Sequence, residues 1–141
     1  MLLPVYYEDT DLSGFVYHAN YLKFFERARE HVIGVRFLKE LFDQGAHFVV
    51  HKCSLEFRSP ARHGDQLLIE STGHYSRSPA INFEQNAYVI HEGQKRVAVL
   101  GQISIVVISA DNRPIRMPDS IIKKFATHDN DSVLDLSGYN S

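Results

Sequence analysis

The sequence predicts an α+β domain in which an antiparallel sheet buries one face on an early helix. Three observations carry this. Apolar residues between Asn20 and Ile33 recur at helical spacing, and from His47 to Ile108 the period falls to two. The strand-like runs then follow one another across mostly short turns, with no further helix between them, which is the order of an antiparallel sheet rather than of βαβ units. At 141 residues the chain has the size of one domain with one core. Residues 1–126 read as that domain, and 127–141 as a polar tail without fixed structure.

Each element has its own signals. Pro4 to Tyr7 reads as a short strand, and Glu8 to Tyr17 as a loop crowded with acids around Gly14. Asn20 is placed to cap the helix, whose inward residues Tyr21, Phe25, Ala28 and Val32 oppose Lys23, Glu26, Arg27 and Glu30. Gly34 suits a helix end, yet Val35 to Asp43 restarts the pattern until Gln44-Gly45, so one kinked helix or two short ones are expected. From His47, Val49, His51, Cys53, Leu55 and Phe57 alternate with Lys52, Ser54, Glu56 and Arg58, giving a strand with one buried face. Ser59 to Asp65 breaks it; Gln66 to Tyr75 is the next strand, and Ser76 to Pro79 the next turn.

Ala80 to Ile90 alternates again, with Ile81, Phe83, Ala87 and Val89 inward, and Glu92-Gly93 supplies a hairpin turn into Lys95 to Ile108. In that last strand Val97, Val99, Ile103, Ile105 and Val107 share one face. Ala98, Leu100, Val106 and Ile108 make the other face apolar too, so the strand is expected in the middle of the sheet or against a partner chain. Asp111-Asn112 ends it, and Pro118-Asp119-Ser120 opens a short helix over IIKKF.

Composition excludes several functions. A net charge of -2 leaves no dense basic face for bulk nucleic-acid binding. No run approaches the length of a membrane span. The start MLLPVYY lacks the basic and apolar regions of a signal peptide, and the single Cys53 allows no intrachain disulfide; both place the chain in the cytoplasm. His47 and His51 have no clustered third ligand, so no metal is expected. Cys53 falls on the apolar face of its strand and reads as a small hydrophobe rather than a nucleophile.

The chemically suggestive stretch is the acidic loop feeding the helix at Asn20. A helix N-terminus presents unpaired N–H groups and the positive end of the macrodipole, which suits a developing oxyanion. Asp9, Thr10 and Asp11 also fit a solvated turn with local hydrogen bonds, and Asp9 reads as a brace for the loop. Gly14 is expected either to take a positive φ or to let a substrate approach the backbone.

The run Tyr7-Glu8-Asp9-Thr10-Asp11, Gly14, Val16-Tyr17-His18-Ala19-Asn20-Tyr21 and Glu26-Arg27-Ala28-Arg29, with Phe48-Val49-Val50 and Ser59-Pro60-Ala61-Arg62 later, closely resembles the hotdog-fold acyl-CoA thioesterases. Within them it is most similar to the 4-hydroxybenzoyl-CoA thioesterase-like family, in the branch associated with the Tol–Pal system. The resemblance implies a hotdog fold, a curved antiparallel sheet wrapped around one long central helix, working as a homodimer or homotetramer with sites at the subunit interface and with no cofactor. It implies Asp11 as the catalytic carboxylate and the backbone N–H at or near His18 as the group that polarises the thioester carbonyl. His18 matches the histidine that this branch carries, Gly14 and Tyr17 lie on the substrate side, and Arg77 and Ser78 fall where related enzymes grip CoA phosphates, with Arg58 and Arg62 next in line as anchors. Leu12-Ser13 departs from the smaller pair usual before Gly14, so the acyl entrance is expected to differ in shape. A carboxylate can attack a thioester or take a proton from water, so the expected activity is hydrolysis of acyl-CoA thioesters. The alternatives weighed are a hotdog hydratase or dehydratase, whose signature differs, and a non-catalytic acyl- or CoA-binding module acting through a protein partner.

Overall fold

The computed structural model describes residues 1–75, 79–125 and 132–135. In chain order these form β1 (Leu2–Pro4), a 3-10 turn (Tyr7–Asp9), α1 (Asn20–Ile33), α2 (Val35–Asp43), β2 (Ala46–Phe57), β3 (Gln66–Tyr75), β4 (Ala80–His91), β5 (Gln94–Ser109), α3 (Asp119–Phe125) and β6 (Ser132–Asp135). The sheet is antiparallel in the order β1-β3-β4-β5-β2, and β6 pairs with β3. β5 therefore lies inside the sheet, as its two apolar faces predict, and β2 forms an edge.

Tyr21, Phe24, Phe25, Ala28 and Ile33 of α1 share one buried cluster with Ile69, Ile81, Phe83, Val99, Ile103 and Ile105 of the strands. Burying each large apolar side chain contributes about 1.5–3 kcal/mol, so this seam dominates the stability of the domain. Helix and sheet approach closely at Gly101, where an added Cβ would lie 2.7 Å from the Gln85 carbonyl oxygen and 2.8 Å from the Phe25 ring. A polar chain crosses the same seam. Arg29 Nη1 donates to Gln85 Oε1 at 2.7 Å, and Gln85 Nε2 donates to the Phe25 carbonyl at 3.0 Å and to Ser71 Oγ at 2.8 Å. Gln85 is fully buried and Arg29 nearly so. Burial lowers the pKa of Arg29, which the ion pair with Glu26 at 2.5 Å opposes.

The structure corrects several expectations. The first strand lies earlier than Pro4 to Tyr7, because Tyr7–Asp9 winds into a 3-10 turn. Of the two forms expected for the helical stretch, the one present is two helices, broken at Gly34 with φ 94°. Phe24 and Arg29 join the buried face of α1, while Val32 is only partly buried.

In β2 the phase slips at a bulge. Phe48 pairs with Val107 and Val50 with Ile105; then His51 is skipped, and Cys53, Leu55 and Phe57 pair with Ile103, Gly101 and Val99. Phe48 and Val50 thus share the core side before the bulge, and Val49, opposite Val106, does not. Cys53 keeps the expected face but is exposed, since an edge strand is not covered along its length. A second bulge leaves Ala98 between Val99, opposite Ala87, and Val97, opposite Tyr88, which separates Val97 from the Val99 face.

Within the C-terminal segment expected to lack structure, Ser132–Asp135 pairs with Thr72–Tyr75 of β3. The partner residues lie past the register of β1, which ends at Leu68, so that edge of β3 was open to a further strand.

Candidate active site

The loop before α1 is held by Asp9, whose carboxylate is buried. Oδ2 accepts the Tyr6 N–H and Oδ1 accepts the Asn20 side-chain amide, both at 2.8 Å, while the Asp9 carbonyl accepts the Tyr17 N–H at 2.8 Å. Asp9 is thus the brace expected of it. Asn20 is not the cap, because its side chain is committed to Asp9; Ala19 stands at the N-cap with no side-chain cap bond. The helix starts through Asn20 N–H to Tyr17 carbonyl, 2.8 Å, and Leu22 N–H to Ala19 carbonyl, 3.2 Å. Among the described residues the backbone N–H groups of His18 and Ala19 have no acceptor.

Asp11 sits in a tight turn one strand bridge away. Its N–H donates to the Phe15 carbonyl at 2.8 Å, its carbonyl accepts Gly14 N–H at 3.0 Å, and its Oδ1 accepts Ser13 N–H at 2.8 Å. Gly14 takes φ 77°, which favours glycine, as the first of the two roles expected of it requires. One carboxylate oxygen of Asp11 is oriented by the turn. The other has no hydrogen bond among the described residues and faces no competition for a ligand.

Asp11 and His18 line one pocket of about 350 Å3 together with Tyr21, Phe57 and the loop Arg58 to Pro60. Phe57 organises its aromatic wall. The His18 ring meets it edge-on with centroids 6.3 Å apart, and Tyr21 meets it at 6.1 Å. Burial pushes the Tyr21 phenol up to about 12. Tyr17 is half exposed and tilts against the His18 ring at 4.6 Å, so it flanks the histidine. The bulge at Ala98 sets the far wall, since its carbonyl accepts the N–H groups of Arg58 and Ser59 at 2.8 and 3.3 Å.

Of the residues singled out in the sequence, Asp11, His18, Gly14 and Tyr17 come together around the head of α1, whereas Arg77 and Ser78 lie outside the described residues. The wall from Phe57 to Pro60 was read as a strand end and turn, with Arg58 only as a reserve anchor for CoA phosphates and not as part of the Asp11 pocket. Its role depends on pairing across β5, and the Ser59-Pro60 motif was the one signal for it. His47 packs against Phe42 with centroids 5.9 Å apart, and no cluster of three potential metal ligands occurs among the described residues.

An antiparallel sheet curled around one main helix, with a carboxylate turn and open N–H groups at that helix's head, defines a hotdog-type domain. The chain belongs to the thioesterase-like superfamily, whose family model matches residues 5–125. It is 32% identical to the acyl-CoA thioester hydrolase YbgC of Escherichia coli over 126 residues, 86% of this chain and 90% of that protein. Among solved structures, a probable thioesterase from Bartonella henselae is 32% identical with a TM-score of 0.65, covering 84% of this chain and 96% of that one. A mutant 4-hydroxybenzoyl-CoA thioesterase, solved with 4-hydroxybenzoyl-CoA, superposes with a TM-score of 0.79 over 88% of this chain and 95% of that one; at 18% identity it shows the fold alone.

Proposed function

We infer that this protein hydrolyses acyl-CoA thioesters and that Asp11 carries the reaction, with the backbone N–H groups of His18 and Ala19 holding the oxyanion. The observation that supports this most is the shared pocket of Asp11 and His18 at a helix head whose first N–H groups lack acceptors. A thioester carbonyl placed there meets hydrogen-bond donors on its oxygen and a carboxylate beside its carbon, the arrangement that stabilises a tetrahedral intermediate. Two routes use the same atoms. As a base, Asp11 removes a proton from water while the water oxygen bonds to the acyl carbon; collapse breaks the C–S bond, and the thiolate leaves with that proton. As a nucleophile, the Asp11 oxygen itself bonds to the acyl carbon, the thiolate departs, and water then cleaves the resulting anhydride. Single turnover in 18O-labelled water separates them, because only the anhydride route can leave 18O on Asp11. The test of the function itself is thiol release from a panel of acyl-CoAs spanning chain length and including hydroxybenzoyl-CoA; retained CoA binding with no release from any of them would favour a binding module.

The active unit in this reading is a homo-oligomer. β2 is an edge strand that exposes Val50 at 49% and Phe57 at 52%, and Phe57 also walls the Asp11 pocket. A second copy paired along that edge would extend the sheet and close the pocket at once, which favours at least a dimer and leaves the tetramer as a further doubling. A monomer at micromolar concentration in sedimentation would contradict it. A CoA-borne substrate and a lone exposed thiol fit a reducing cytoplasm.

A further inference from the structure

We propose that the loop after β2 is an anion site for the phosphates of the thiol carrier, with Arg62 and Arg58 as its ligands; this rests on the thioesterase reading above. In a chain of net charge -2, three guanidinium groups converge on one turn at the rim of the Asp11 pocket. Arg96 is structural: its Nη1 donates to Ser59 Oγ and, at 3.0 Å, to the Pro60 carbonyl, while Ser59 Oγ donates to the Val97 carbonyl at 2.5 Å. That fixes the turn between the other two. Arg58 lines the pocket itself and gives its Nε to Glu56 at 2.9 Å, so both of its terminal nitrogens stay available.

Arg62 is the principal ligand. Its backbone is clamped by an N–H bond to Asp65 Oδ2 at 2.8 Å and by a bridge to Phe15, and its guanidinium lies over the Phe15 ring at 4.5 Å. Phe15 is a wall of the same pocket. The side chain is exposed, and no carboxylate among the described residues pairs with its guanidinium. Stacking on an aromatic face pre-orders a planar fork with free donors, which matches the paired oxygens of a phosphate far better than a flexible ammonium would. A thioester at Asp11 would send its carrier out past this rim.

The test assays Arg62→Ala, Arg58→Ala and the double variant on one acyl group carried by CoA, by 4′-phosphopantetheine and by phosphate-free pantetheine. The ratio of kcat/KM on CoA to that on pantetheine should fall about tenfold in Arg62→Ala, the low end for a hydrogen bond to a charged group, and further in the double variant. Arg62→Lys should recover only part, since it keeps the charge and loses the fork. A fall shared by the phosphopantetheine ester assigns the inner phosphate; one confined to CoA assigns the nucleotide phosphates; both support the site. A wild-type ratio in the double variant overturns it. Calorimetric titration with CoA decides the question independently of turnover. A Kd raised about tenfold in Arg62→Ala supports the site, and an unchanged Kd in a folded variant refutes it even if the wild type proves inactive on every ester.

Discussion

The Asn20 side-chain amide donates to the Asp9 carboxylate at 2.8 Å, with both residues buried, and so ties the loop that carries Asp11 to the first residue of α1. The second Asp9 oxygen is spent on Tyr6. The Asp11 turn and the helix head, on which the proposed reaction rests, are thus both tied to this one buried carboxylate.

Asp9→Ala strands a buried amide and an N–H group, each costing about 1–3 kcal/mol. The melting temperature should drop, and kcat should fall in the fraction that remains folded, because the Asp11 turn is no longer referenced to the helix. Asn20→Ala should do the same more mildly. Thermal melts alongside thiol-release assays check both, and an Asp9→Ala variant with wild-type kcat would show that the loop is held by something else.

At the paired residues Gln85 and Gly101 the sheet lies close against α1. Gly101→Ala would place a methyl 2.7 Å from a backbone oxygen and 2.8 Å from a fully buried ring, neither of which can swing away. Gln85→Leu removes the acceptor of a buried guanidinium and should lower stability by about 2–3 kcal/mol. Chemical denaturation measures both, and Arg29→Met combined with Gln85→Leu should regain part of the loss, as replacing a buried polar group together with its partner often does.

These features divide what the sequence could tell from what it could not. The bounds of β3 and the turn at Glu92-Gly93 follow from local alternation and turn chemistry, and the structure agrees with them. The Asp11 turn and the His18 helix head were visible because both lie in one continuous stretch. Arg29 and Gln85 each interrupt an apolar face, and nothing local says that they meet; the pairing exists only once helix and sheet are packed. The bulges at His51 and Ala98 are equally tertiary, since a strand's period does not announce an extra residue. That is why Val49 and Val97 were put on the wrong faces and the Arg58 to Pro60 stretch was not placed against the Asp11 pocket.

Gly14 adopts φ 77° with nothing within 4 Å of where a Cβ would sit, so the penalty of a substitution there is conformational rather than steric. Gly14→Val should cost at least about 1–2 kcal/mol from the left-handed backbone and should reduce turnover further than that, because relaxing φ moves the Asp11 carboxylate. Unchanged kinetics would detach this turn from the chemistry.

Tyr21 predicts an alkaline limit. Burial raises its pKa from 10 to about 12, so as pH climbs through 10 the unfolded chain gives up this proton first while the folded protein retains it. The folded state then binds more protons, and stability present below pH 10 is lost progressively toward pH 12 by on the order of 2 kcal/mol. Tyr21→Phe should flatten that slope relative to wild type in denaturation curves taken from pH 9 to 12, and parallel slopes would contradict the assignment.

Asp11→Asn tests with least disturbance whether Asp11 performs the chemistry, since the amide oxygen can still accept the Ser13 N–H that orients the turn. With wild type active on an acyl-CoA, the Asn variant should bind CoA normally, melt near the wild-type temperature and lose about 10²-fold or more in kcat. His18→Ala, which leaves its backbone N–H in place, should lose less. An Asp11→Asn enzyme that releases thiol at close to the wild-type rate would show that Asp11 does not carry the reaction.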